Sequence, residues 1–93
     1  MKRSSRRLVG KTLCIDVKAS GKAARLGISA SGKYGESFER NRFKRLVRES
    51  FRQMGERLPR ADLHVVPRQR AKSALLHEIQ ADFEELLVRE WLS

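Results

Sequence analysis

Residues 25–55 read RLGISASGKYGESFERNRFKRLVRESFRQMG, and two hydrophobic periods meet inside this stretch. Over residues 25–31 apolar and polar positions alternate, with Leu26, Ile28 and Ala30 on one side and Arg25, Gly27, Ser29 and Ser31 on the other. A period of two marks a strand with one buried face. The outward set is small and polar apart from Arg25, so that side of the sheet is expected to stay open to an extended ligand. Gly32 and Gly35 bracket Lys33 and Tyr34 in a tight loop, after which the period lengthens. Phe43, Leu46, Val47, Ser50, Phe51 and Met54 recur at steps of three and four, which makes one buried face of an α-helix. Ser37 is the expected N-cap, and Glu39 suits the first turn, where the helix dipole favours an acid. Gly55 is the residue expected just beyond the helix end.

Working outward, residues 12–17 alternate again. Leu13, Ile15 and Val17 point inward and Thr12, Cys14 and Asp16 outward, as in a strand with one buried face. Residues 18–24, with Ser20 and Gly21, read as a hairpin connection to the strand at 25. The basic, serine-containing residues 1–8 are expected to be loosely ordered. Downstream, Pro59 and Arg60 lead into a short strand at 62–66, which Pro67 closes. Arg68, Arg70 and Lys72 form a basic loop, and Ser73 is expected to cap a last helix burying Leu76, Ile79, Phe83, Leu86 and Leu87. The expected order is β-β-α-β-α: a single α+β domain over residues 1–93, a sandwich of one sheet with helices on it.

Ninety-three residues suffice for one domain with a small core. No run of about 18 apolar residues exists to span a membrane, and no long apolar stretch follows the basic residues 1–7 as a secretory signal requires. Cys14 is the one cysteine, which rules out a disulfide framework and a thiolate metal cluster; a cytoplasmic location is expected. The charge is more informative. Lys plus Arg is 21 against 11 acids, a net of +10. Residues 1–60 hold 17 Lys/Arg and 5 Asp/Glu, a net of +12, whereas residues 61–93 hold 4 and 6, a net of −2. Such an excess repels itself unless a polyanion neutralises it, and nucleic acid is the commonest one. An acidic membrane surface and a merely solubilising charge are the competing explanations.

The distribution of charge on the central helix separates them. At about 100° per residue, with Phe43 at zero, the apolar set runs from Leu46 through Phe43 to Phe51. Lys44, Asn41, Arg48, Arg52 and Arg45 gather on the opposite arc, centred near Arg48. A solvated face normally mixes signs, with acids four residues from bases; this stripe has almost no acids, so contact with RNA is expected. Arg40, Asn41 and Arg42 stand in the first turn, where free backbone N–H groups and guanidinium forks together suit phosphate. The apolar face is needed for so small a core, which argues against insertion in lipid.

Other constellations are weaker. Asp82, Glu84, Glu85 and Glu90 have the spacing of a solvated helix face rather than of a metal or acid–base cluster. His64 and His77 lack the spacing of a zinc site, and His64 is expected as an exposed strand residue. Cys14 has no neighbour that would activate it. Trp91 is expected to pin the last helix. No cofactor is expected to be held by the protein itself, and a metal site cannot be read from the sequence.

The pattern Arg40-Asn41-Arg42-x-Lys44-Arg45-x-x-Arg48-Glu49-x-Phe51 resembles the signature helix of the protein subunit family of bacterial ribonuclease P. The preceding residues 25–31, Lys33-Tyr34-Gly35, and Asp62 with its following strand and helix fit as well, so that the resemblance covers about residues 9–88. It implies an RNA-based endoribonuclease in which the RNA subunit hydrolyses precursor tRNA with bound magnesium, leaving the mature 5′ end, while the protein alone is not catalytic. It implies contact with the RNA subunit through Lys33, Arg40, Asn41, Arg42, Lys44, Arg45, Arg48 and Arg52. It implies a cleft on the sheet for the 5′ leader of precursor tRNA, where Thr12, Cys14, Arg25, Ser29 and Ser31 would stand. It also implies a left-handed β-α-β crossover around the basic helix, against the right-handed form found in about 98% of such connections.

Three departures from the family pattern are visible. Family members open with a further basic, aromatic-bearing helix that walls the leader cleft, and this sequence is expected to start after it. Gly32 stands where a second lysine is usual, and Glu36 where an asparagine is. Asp16 stands where an aromatic often helps to bind the leader, and an acid there repels phosphate unless a neighbouring cation or a metal intervenes. The rival class is a structural rRNA-binding protein with no role in cleavage.

Overall fold

A computed structural model describes residues 5–91. Its strands are β1 (Ser5–Val9), β2 (Leu13–Ala19), β3 (Arg25–Ile28) and β4 (Ala61–Pro67), and its helices are α1 (Ser37–Met54) and α2 (Leu76–Glu85). Short 3-10 turns occupy Gly55–Arg57 and Gln69–Ser73, and α2 runs on as a wider π-helical segment over Leu86–Trp91. The strands form one sheet in the order β1-β2-β4-β3, antiparallel except for the parallel β3–β4 pair. Leu13, Ile15, Val17, Leu63 and Val65 of the sheet are buried with Phe43 and Val47 of α1 and Ile79, Phe83 and Leu87 of the C-terminal helical segment. Both helices therefore lie on one sheet face, and the other face is free of them.

The α+β class and the presence of two helices agree with expectation, but two segments do not. Residues 5–9 are a strand rather than a loose lead-in: β1 pairs with β2 with Leu8 opposite Ile15, and Leu8 enters the core. One inward side chain cannot establish a period of two, so the strand is set by its backbone pairing and not by its own pattern. Residues 1–4 lie outside the described residues. The order is thus β-β-β-α-β-α. Residues 18–24 are not a hairpin either, because β4 is inserted between β2 and β3. Ser20 and Gly21 donate their N–H groups to the Arg60 carbonyl (3.1 and 3.3 Å), and Gly21 takes a φ of 73° that suits glycine. A link that passes an intervening strand and a tight hairpin draw on the same turn residues.

Both helix starts are shifted relative to expectation. Ser37 is the first residue of α1 and Glu36 its N-cap, the Glu36 N–H being capped by the Glu39 carboxylate at 2.9 Å. Gly35 makes room for this, since a side chain there would overlap the Glu39 carboxylate. Ser73 closes a 3-10 turn, and α2 starts only after Leu75, whose N–H is capped by Glu78 at 2.7 Å. Leu76 therefore sits on the exposed first turn and not in the core. Gly55 ends α1 with a φ of 52°, as its position suggests.

Asp82 is not a solvated residue but a buried clamp. Its carboxylate accepts the N–H of Lys11 (3.1 Å) and both the N–H and the hydroxyl of Thr12 (2.7 Å each), tying the β1–β2 turn to α2. Thr12 is correspondingly turned towards α2 rather than onto the open face, because the alternation of β2 begins only at Leu13. A Cβ on Gly10 would overlap the Asp82 carboxylate, so glycine is what lets the turn close on it. Asp82→Ala leaves these donors without their acceptor and should cost about 2–4 kcal/mol in denaturant unfolding. Gly10→Ala should cost a comparable amount, and the double variant little more than either. Additive losses would show that the two residues act separately.

Candidate nucleic-acid interface

The capping of α1 and the burial of Phe43 and Val47 fix which way its charges point. Asn41, Arg45, Arg48 and Arg52 are exposed, with Lys44 half-buried at the edge of the arc. Among the described residues Lys44, Arg45, Arg48 and Lys33 form no ion pair. Arg52 pairs with Glu49, which also accepts the Gln53 amide at 3.0 Å. The Gln53 hydrogen bond and the Arg52 charge hold the Glu49 carboxyl below its usual range, so Glu49 stays anionic and offsets Arg52.

The first-turn pair is partly engaged in holding loops. Arg40 donates to the Gly35 carbonyl (3.2 Å) and the Ser37 hydroxyl (3.1 Å). Arg42 donates to the carbonyls of Ala74 (2.6 Å) and Ala71 (3.5 Å), and so docks the turn before α2 onto α1. A guanidinium has five N–H donors, so each keeps donors for a phosphate, but neither is a free cation. Lys33 is exposed in a turn closed by the Tyr34 N–H and the Ser31 carbonyl at 3.0 Å. The buried Tyr34 ring anchors that turn between Phe43, at 5.9 Å between centroids, and the Lys72 ammonium, 5.6 Å from the ring centre. Burial raises the Tyr34 phenol above its usual range, so it stays neutral.

Strand register sets the open face of the sheet in rows. Ser5, Lys18, Asp62 and Arg25 form one; Arg7, Asp16, His64 and Gly27 the next; Val9, Cys14 and Val66 the third. Asp16 is held by Arg7 at 3.1 Å, and Asp62 by Arg25 at 3.2 Å. The neighbouring cation that Asp16 needs beside a phosphate is therefore supplied by β1. The Asp62 hydrogen bond also raises the pKa of Arg25. Ser29 Oγ lies 2.8 Å from His64 Nε2, which places the exposed His64 on the same face.

Of the five residues expected in a cleft here, Arg25, Ser29 and Ser31 are exposed. Cys14 does face this side, but at 7% exposure it is sunk between its neighbours Val9 and Val66, a correction to its expected open position. Thr12 is withdrawn to Asp82. Sequence patterning missed Arg7, which only recognition of β1 would have revealed, and Phe38, which stands exposed on the cationic arc.

Glu84 faces Arg57 and Gln80, and Glu85 faces Arg89. Among the described residues no three His, Cys, Asp or Glu side chains come together as a metal ion requires. Trp91 packs against the core with the Arg6 guanidinium 5.7 Å over its ring. No described helix is long and apolar enough to cross a membrane.

Residues 1–90 match the family profile described as Ribonuclease P. The ribonuclease P protein component of Staphylococcus haemolyticus is 44% identical over 63 residues, which are 68% of this chain and 55% of that protein. That of Chlamydia pneumoniae is 39% identical over 59 residues, 63% of this chain and 42% of that protein. The chain thus spans about half the length of these relatives. The RNase P protein of Staphylococcus aureus superimposes with a TM-score of 0.80 at 29% identity, covering 90% of this chain and 79% of that one. The RNase P protein of Thermotoga maritima superimposes with a TM-score of 0.82 at 27% identity, covering 91% and 83%.

Proposed function

Because the chain belongs to the ribonuclease P protein family, we propose that it binds the catalytic RNA subunit of that enzyme through the outward arc of α1. The open sheet face then takes the 5′ leader of precursor tRNA, and the protein assists the RNA in removing it. One observation carries this reading: Arg45 and Arg48 project opposite the buried face of α1, with Lys44 at the edge of the same arc, and among the described residues none of the three has a carboxylate partner. Such cations gain by neutralising phosphates and releasing counterions. Arg40, Asn41 and Arg42 extend the surface to the helix start, and Lys33 extends it to the loop that leads back to Ser31 and Ser29. The sheet face offers Arg25, Ser29, Ser31 and Lys18 beside two acids whose charges are matched by arginines. Hydrolysis, and the magnesium it needs, belong in this proposal to the RNA–protein complex, working in the cytoplasm.

The test is cleavage of a precursor tRNA by a bacterial ribonuclease P RNA at limiting magnesium. Added protein should raise the rate, and protein without RNA should cleave nothing. Cleavage by the protein alone would overturn the proposal. Tight RNA binding without stimulation would leave a structural RNA-binding role instead. If about five to eight phosphates are contacted, the logarithm of affinity should fall with the logarithm of salt at a slope on the order of −4 to −7.

A further inference from the structure

Phe38 is 72% exposed, although it is a large apolar residue in the first turn of an 18-residue helix. Every other phenylalanine, tyrosine and tryptophan ring is placed in or against the core: Tyr34, Phe43 and Phe83 are buried, and Phe51 and Trp91 pack on the cluster. A single exposed apolar side chain is ordinary, so exposure alone says little. Its position says more. Phe38 precedes Asn41 by three residues and Arg45 by seven, which at about 100° per residue puts it within roughly 20° of the Arg45 direction. The exposed ring thus stands at the N-terminal end of the line that continues through Asn41, Arg45, Arg48 and Arg52.

Two occupants could cover such a ring: a nucleobase or a second copy of the chain. A second copy meeting α1 by this arc would bring Arg45 and Arg48 against their own equivalents in a chain of net charge +10, so like charges oppose that pairing. A strand of RNA brings phosphates to the cations and a flat apolar base to the ring. An aromatic beside a positively charged track is the arrangement that holds unpaired bases.

We propose that Phe38 is a stacking platform for an unpaired base of the RNA that lies along α1. This deepens the function proposed above and rests on it. The arginines of the arc then supply affinity through phosphates, and Phe38 selects for a nucleotide that is not in a duplex, because pulling a paired base out of its own stack costs about as much free energy as stacking on the ring returns.

The experiment compares Phe38→Ala, Phe38→Tyr, Phe38→Leu and Arg48→Ala in the full 93-residue chain. Each is titrated with a ribonuclease P RNA transcript over a salt series, melted thermally and sedimented without RNA. Phe38→Ala should bind about 5- to 150-fold more weakly, the range for losing one stacked base, with an unchanged salt slope because no charge is lost. Tyrosine should restore binding, leucine should not, and all three should melt with the parent. If Phe38→Ala binds like the parent while Arg48→Ala binds weakly, the stacking role is wrong and the RNA-binding surface stands. If both bind like the parent, the surface fails as well. Full binding by the leucine variant would make the contact merely apolar, and overturn stacking. Early melting of Phe38→Ala, or a parent dimer that this change dissociates, would assign the ring to the fold or to a second copy and overturn it too.

Discussion

Phe43→Ala is expected to unfold a sizeable fraction of this domain. Phe43 is 1% exposed and lies at the junction of α1, the sheet and the Tyr34 ring. Removing a buried phenyl costs about 3–5 kcal/mol, and a domain of this size has about 5–10 kcal/mol in total. The sequence periodicity gives Leu46 and Phe51 equal standing in the core, but both are only half-buried at its flank. Leu46→Ala and Phe51→Ala should therefore cost less, about 1–2.5 kcal/mol, because part of each side chain is already in water. Chemical denaturation of the three variants checks the order. Equal losses would mean that Leu46 and Phe51 are buried as deeply as Phe43.

The opposite arc of the same helix should respond in the opposite way. Changing Lys44, Arg45 and Arg48 together to alanine touches no ion pair among the described residues and should alter stability by no more than about 1 kcal/mol. Relief of repulsion in a chain of net charge +10 even favours a small gain. Affinity for the RNA subunit should nevertheless fall on the order of a hundredfold at moderate salt, with the log–log salt slope flatter by about two to three. Arg42→Ala is the control of contrasting kind. It removes the donor to the Ala71 and Ala74 carbonyls and should cost about 1–3 kcal/mol of stability, so any RNA defect it shows would be mixed with loosened packing of α2. Parental RNA binding by the triple variant would remove α1 as the interface.

What could be read without a structure is what short-range periodicity encodes. The period of two in residues 12–17 and 25–31 and the three-and-four period from Phe43 to Met54 depend only on which side of a local element meets water. They sufficed for β2, β3, α1, α2, the buried face of α1 and the unmixed charge on its other face. The cap at Gly55 and the acid at Glu39 are equally local. Ser37 and Ser73 are not the caps, because Glu39 and Glu78 swing back to the N–H groups of Glu36 and Leu75, a choice that the serines do not encode.

Long-range pairing and charge matching were decided only by the tertiary structure. Ser5–Val9 has one inward residue and becomes a strand because β2 offers an unpaired edge. β4 enters between β2 and β3, a choice of partner that no pattern within residues 18–24 records. Asp82 lies 70 residues from Thr12 and looks solvated in the sequence, yet the fold delivers the β1–β2 turn to its carboxylate. Asp16 and Asp62, read alone, are acids on a surface proposed to take RNA. Only pairing with Arg7 and Arg25 matches their charge. A helix face is set by its own residues, whereas the charge a surface presents depends on which distant side chains the strand order brings beside it.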